Sequence, residues 1–426
     1  MKPHEGPRAD ATRSDVPPLR RDLDTWRWYG FVGLFAYLLY ALGAITPYLK
    51  ADFGLNDLRV GLNSSAFALG LIVSGLVGDR IATRVSPALL IAAAACGEAA
   101  AGAVVALVPH PVATLAAAFV MGLCGSLMLA LVNASITKRH RHHSARVLTE
   151  AQVVASLCSL STALFLGLSV GLRLGWRPVL VLPLVAIVLG GVLRVGRLRR
   201  PSRQTGQRPV RPKREGMRTP RSAPTHPADT GAGRLPLVFW LRWGVAVAVI
   251  SVEFALIFWG PSALRIRPGL DTSAASATMA FFIGGMLAGR ALGSLLPARV
   301  AGSFFVPAGA GMAAVGTLFL RQSSVPVMSS VGLLLAGFGV ANLYPLAVDA
   351  AIKAVPGRAV QAAARCSFAF GVALFAGPPV LGALADHFGI LDALWTVPAL
   401  AGIAAVLHVV AASMQGRGRS PAPMRQ

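Results

Sequence analysis

The chain has 426 residues, of which 55% are hydrophobic and only 13% charged, with a mean hydropathy of +0.63; one soluble core cannot hide that much apolar surface, and a bilayer is the solvent that suits it. The formal charge of +23 is spread over tails and loops between apolar blocks, which points away from a nucleic-acid partner. Cys96, Cys124, Cys158 and Cys366 all fall inside apolar runs without metal-ligand spacing, so neither a metal nor a cofactor is expected.

Residues 1–26 form a polar tail rich in Pro and Arg. Beyond it, apolar stretches of about 20 residues, the length a bilayer core requires, predict helices over 28–48, 60–78, 87–108, 112–136, 148–170 and 177–196, and again over 237–259, 274–296, 301–320, 325–349, 360–384 and 392–413. Their continuous apolarity excludes barrel strands, which alternate. The expected architecture is an all-α integral membrane protein of about twelve transmembrane helices in two pseudo-symmetric six-helix bundles, residues 27–198 and 236–414, joined by a basic linker over 199–235 and closed by a tail over 415–426.

Alternate loops carry Arg80 and Arg84, then Lys138, Arg139, Arg141 and Arg146, then the long run from Arg194 to Arg234, then Arg299, then Lys353 and Arg358. The excess of Lys and Arg predicts that this face is cytoplasmic, with both termini on it, in a multi-pass protein of the plasma membrane. His140, His142 and His143, set among these arginines, read as part of a basic loop rather than as metal ligands. The stretch 201–233, rich in Pro, Arg, Thr and Ser, cannot bury enough surface to fold. Beyond orienting the chain, its basic side chains are candidates for anionic lipid, at about 1 kcal/mol each near the surface.

The second half echoes the first: Asn133-Ala-Ser-Ile136 in the fourth span corresponds to Asp349-Ala-Ala-Ile352 in the tenth, and Ala163-Leu-Phe-Leu-Gly167 in the fifth to Ala373-Leu-Phe-Ala-Gly377 in the eleventh. After the second span, Gly75-Leu-Val-Gly-Asp79-Arg80-Ile-Ala82-Thr-Arg84 resembles the GxxxDRxGxR signature of the major facilitator superfamily, and the equivalent place after the eighth span reads Ser294-Leu-Leu-Pro-Ala298-Arg299. The resemblance implies two bundles rocking about a central cavity lined by helices one, four, seven and ten, and hence alternating-access transport of a small solute by a monomer. Glu253-Phe254, Trp259, Gly289-Arg290 and Asn342-Leu-Tyr344-Pro345 resemble solute carriers near the fucose permease branch. The matching aspartate of family members faces the start of the eleventh helix. The implied latch therefore sets Asp79, with Arg80 and Arg84 beside it, against Arg358 and Arg365, and pseudo-symmetry sets Glu150 against Arg299.

A charged side chain at mid-helix in a bilayer costs at least about 2.5 to 3.5 kcal/mol, so each one needs a partner, a wet cavity or a function. Glu253 falls about 22 Å into a core of about 30 Å, beyond snorkelling reach of the cytoplasm. A carboxyl there can bind and release a proton as its exposure alternates, or contact substrate, or make a structural hydrogen bond. Arg290 falls in the opposite half of the membrane, which argues against a direct pair with Glu253; it is suited to an anionic substrate group or to bracing helix ends. Glu98 is similarly deep in the third span. Tyr37, Tyr40, Asn133, Trp259, Asn342 and Tyr344 are the polar candidates for a substrate cavity, each with an interhelical hydrogen bond as the plainer reading. No GxxxxGK[ST] loop occurs, so energy is expected from a gradient such as that of protons rather than from ATP. The leading expectation is a proton-coupled carrier of a small organic solute. An exporter of drugs or secondary metabolites is the alternative, and a non-transporting sensor on the same fold is the third reading.

Overall fold

A computed structural model of the chain describes residues 21–82, 84–140, 143–198, 235–295 and 304–417. Among these residues there are helices and no strands. The first half holds α1 (Leu23–Ala44), α2 (Thr46–Phe53), α3 (Asp57–Ala82), α4 (Pro87–Leu107), α5 (Pro111–Arg139), α6 (Ser144–Gly171) and α7 (Arg177–Leu198). The second holds α8 (Leu237–Ile266), α9 (Thr272–Leu295), α10 (Phe305–Gln322), α11 (Pro326–Val340), α12 (Leu343–Lys353), α13 (Ala359–Phe388), α14 (Ile390–Ala393) and α15 (Thr396–Arg417). Local chemistry sets many boundaries: Asp22 caps α1 by accepting from Thr25 N at 3.0 Å, proline stands in the first turn of α2, α4, α5 and α11, and Gly54, at φ +60°, ends α2.

Nine of the described helical segments are long and apolar enough to cross a membrane, and ten when α1 and α2, bent by 48°, count as one broken span. With α7 and α10 these account for twelve crossings in two bundles, each within a few residues of the stretch that hydropathy predicts. Three spans are broken where the sequence pattern is continuous, the first at Ile45, the tenth at Ala341 and Asn342, and the twelfth at Leu394 and Trp395. The linker 199–234 lies outside the described residues.

The two halves repeat one packing device. A Cβ on Gly70 of α3 would stand 2.1 Å from Phe119 O, and one on Gly122 of α5 1.9 Å from Phe67 O. In the second half a Cβ on Gly285 of α9 would stand 2.2 Å from Leu334 O, and one on Gly337 of α11 1.9 Å from Phe282 O. These glycines and their facing residues occupy equivalent positions of the two halves at one constant offset, so the duplication is written in backbone contact where small residues let helices touch.

The halves meet where α3 packs on α13, α6 on α9 and α1 on α8. At the far end, opposite the start of α1 and the finish of α15, they are stitched together. The Asp386 carboxylate accepts from Asp57 N at 2.8 Å and Leu58 N at 3.0 Å, Ser65 Oγ donates to Phe375 O at 2.6 Å, Tyr48 OH donates to Thr272 O at 3.0 Å, and Ser273 Oγ donates to Gly167 O at 2.8 Å. At the near end each described ion pair stays within one half.

Candidate functional site

The site is built around α8, the most enclosed of the long helices. Glu253 lies midway along it, and its Oε1 accepts a hydrogen bond from Tyr40 OH of α1 at 2.8 Å, so the carboxyl of one half is tied to a phenol of the other. The Tyr40 oxygen also lies 3.6 Å from Met286 Sδ of α9. Glu253 and Glu98 are both buried, at 9% and 0% exposure.

Arg290 stands one turn nearer the near end of α9 than Met286. Its Nη1 donates to Ser156 Oγ of α6 at 2.7 Å, and its Nε points at Ala341 O at 3.4 Å, the carbonyl at the break between α11 and α12. Nη2 has no hydrogen-bond partner, and no carboxylate lies within ion-pair distance of the guanidinium, among the described residues. Its charge nevertheless acts on both Glu253 and Tyr40 at longer range. Asn342, at the same break, donates through Nδ2 to Gly289 O at 2.7 Å. Gly293 leaves it room, since a Cβ there would stand 2.5 Å from Nδ2.

Tyr344 continues the site along α12. Its OH points to Cys366 O at 3.4 Å, and its ring meets Phe370 of α13 with centroids 6.0 Å apart. Phe370 in turn packs edge-on against Phe254 at 5.5 Å. The result is an aromatic wall from α12 through α13 to α8, with Phe254 fully buried within it. Toward the far end, Tyr40, Ser159, Thr162, Ile257 and Met279 close on a narrow cleft with room for about one water.

Three of the sequence candidates point elsewhere. Tyr37 leaves the cavity: its OH donates to Val179 O at 3.0 Å, the carbonyl that Pro183, lacking an N–H, leaves free in α7. Trp259 is fully buried, its Nε1 donating to Pro378 O at 3.1 Å, and so joins α8 to α13 as packing rather than lining. Glu98 sits in the core of the first half against Phe35 and Gly125, with no hydrogen-bond partner for either carboxyl oxygen among the described residues. Asn133 is half-buried on α5, with no side-chain hydrogen bond among the described residues.

At the near end Glu150 is occupied within its own half. Arg21 donates to it through Nε at 2.8 Å and Nη2 at 2.6 Å, Tyr29 OH at 2.8 Å, and Arg146 Nε at 3.3 Å. Asp22, besides capping α1, pairs with Arg139, and the Thr25 hydroxyl bond, followed by the Thr25 N–H and that guanidinium, holds its carboxyl below the usual range. Arg365 lies over the Trp240 ring at 5.8 Å, and its carbonyl accepts from Trp243 Nε1 at 2.8 Å. Arg358 donates to Gln361 Oε1 at 2.9 Å, Arg80 is engaged, and Arg84 is exposed on the turn after α3. Arg299 and the side chain of Asp79 lie outside the described residues.

Ser156, Met286 and Phe370 were not among the sequence candidates. The signal available for the first was Ser156, Ser159 and Thr162 at three-residue spacing, one polar stripe along α6.

Residues 29–321 match the family described as Major Facilitator Superfamily, more than half of the chain. The chain belongs to the major facilitator superfamily. Solved structures agree at the level of fold. A bacterial homologue of the human lysosomal transporter Spinster, inward-facing and occupied, is 16% identical with a TM-score of 0.65, covering 95% of this chain and 100% of that one. The same homologue, inward-facing and unoccupied, is 16% identical with a TM-score of 0.68, covering 93% and 98%. The nucleoside transporter NupG is 13% identical with a TM-score of 0.66, covering 91% and 99%. No curated protein matches the sequence. As a superfamily member this chain is a membrane transporter working by alternating access between its two bundles.

Proposed function

We propose that this transporter carries a small organic solute coupled to protons, with Glu253 as the group that exchanges the proton. The observation that carries the reading is the 2.8 Å bond from Tyr40 OH to Glu253 Oε1. It joins the two halves at the centre of the fold, so it must be remade whenever they rock. A carboxylate accepts the phenol proton; a protonated carboxyl competes for that role by becoming a donor itself, and the strength of the inter-half contact then follows the state of the proton. Asn342 and Tyr344 line the same space and orient the solute. The loop charges support a near end that faces the cytoplasm in a plasma-membrane protein, where the basic segment 199–235 would meet anionic lipid. There, Asp79 against Arg358 and Arg365, and Glu150 against Arg299, form the latch of the state closed on that side, Glu150 having first to release Arg21. The resemblance of the motifs around Glu253 and Asn342 to carriers near the fucose permease branch supports a solute carrier over an exporter or a sensor.

The test is accumulation into proteoliposomes under an imposed proton gradient, across a panel of sugars, organic acids and dyes. Glu253→Gln is expected to abolish gradient-driven accumulation while solute exchange persists, because the amide keeps the shape and loses the titration. Unchanged accumulation at every pH removes Glu253 from the coupling role.

A further inference from the structure

Building on Glu253 as the proton-exchanging group, we propose that Arg290 is the substrate-binding cation and that the carried solute is a small organic anion, a carboxylate with an apolar or aromatic body. Arg290 is a permanent charge inside the membrane-spanning part of the protein. Its two hydrogen bonds among the described residues go to neutral oxygens, a serine hydroxyl at 2.7 Å and a carbonyl at 3.4 Å, and neither offsets its charge. A purely structural arginine at this depth would be expected to hold a carboxylate. Here the two neutral bonds fix the plane of the guanidinium between α6 and the break in α11–α12 and leave Nη2 unused among the described residues, a pre-oriented donor on a half-buried side chain. A carboxylate oxygen is the acceptor such a group lacks. The rest of the solute is specified by what lies alongside: the half-buried rings of Phe370 and Tyr344, which pack edge to face with the buried Phe254 supporting them. This is a surface for hydrocarbon or an aromatic ring rather than for a polyol.

The same arrangement explains why a proton should travel with the anion. The titratable and charged groups that act on Glu253 are Tyr40 from α1, Arg290 from α9 and Tyr344 from α12. From α6 the cleft receives the uncharged Ser159 and Thr162, and from α13 the wall receives Phe370. With Glu253 ionised, Arg290 and Glu253 balance each other across the site. Protonating Glu253 unmasks the guanidinium, and an anion then restores neutrality. Proton and anion therefore strengthen each other's binding by linkage.

The experiment measures binding to the purified full-length protein by thermal unfolding, with matched probes of one body and different heads: benzoate, benzamide and benzylamine, and hexanoate, hexanamide and hexylamine. The buffers stay above about pH 6, where the probe acids are ionised. The expected result is stabilisation by the carboxylates alone. Arg290→Gln weakens it roughly ten- to a hundredfold, as for loss of a charge-assisted hydrogen bond. Arg290→Lys, which keeps the charge and loses the fork, falls between, and it carries the test if the glutamine variant does not fold. Amides or amines binding as well as the carboxylates, no carboxylate of the set binding up to millimolar concentration, or carboxylate affinity indifferent to Arg290, each overturns the proposal. Proton uptake on binding, read with a dye in weak buffer, separates the two readings: Arg290-dependent binding with no uptake in the parent chain upholds the anion site and sinks the proton role of Glu253, whereas uptake lost in Glu253→Gln supports both.

Discussion

Gly125 makes the room that Glu98 occupies. A Cβ on Gly125 would stand 2.6 Å from Glu98 Oε1 and 2.7 Å from Phe35 Cδ2, in a core where neither neighbour can swing into solvent. Overpacking of this kind costs about 1 to 3 kcal/mol. Gly125→Ala is therefore expected to lower the thermal unfolding midpoint in detergent, and Glu98→Ala in the same chain to recover part of the loss by removing the carboxyl that the new methyl strikes. Independent, additive effects of the two substitutions would show that they do not share this space. At the same scale Glu253 differs from Glu98 through its partner rather than its depth. Each is one buried carboxyl in a membrane helix, but only Glu253 has a phenol aimed at it, from the other half.

Proline inside a membrane helix leaves a carbonyl without its donor, and in this fold a side chain of another helix takes it. Pro183 frees Val179 O for Tyr37 of α1, and Pro379 frees Phe375 O for Ser65 of α3, the latter across the boundary between the halves. Tyr37→Phe should accordingly cost about 0.5 to 1.5 kcal/mol of stability and leave solute selectivity unchanged. Pro183→Ala, by restoring the helical N–H to Val179 O, should shrink that cost when the two are combined. A change of selectivity in Tyr37→Phe would return the residue to the cavity. Glycine does the complementary work at the α3–α5 and α9–α11 crossings, where backbone meets backbone and even a methyl group would drive the helices apart.

At the scale of the whole molecule, alternating access requires that the far-end contacts break. The strongest described one is the Asp386 carboxylate at the end of α13, which accepts two backbone N–H groups from the first turn of α3, where the helix dipole also favours an anion. Because this bond exists in one state of the transporter, losing it shifts the population several-fold for each kcal/mol or so that it contributes. Asp386→Ala is expected to raise labelling of a cysteine at Ser276, fully buried at this end, by a membrane-impermeant thiol reagent applied from the far side, in a chain whose native cysteines are serine. Labelling that stays at the parent level would make Asp386 a helix cap and nothing more.

The lengths and places of the twelve spans, the duplication, the charge asymmetry of the loops and the superfamily motif were legible in the sequence, because each is a sum or pattern over neighbouring residues and a bilayer penalises any other arrangement of them. Glu253 and Arg290 were legible as candidates for the same reason, since a charge in an apolar run is conspicuous. Their partners were not. Tyr40 meets Glu253 across 213 positions of chain, and Ser156 meets Arg290 across 134, while Tyr37, one turn from Tyr40 on the same helix, turns to Val179 instead. Which phenol faces the carboxyl depends on how each helix is rotated and where glycines let it approach its neighbours, and those are properties of contacts between distant segments that only the tertiary structure decides.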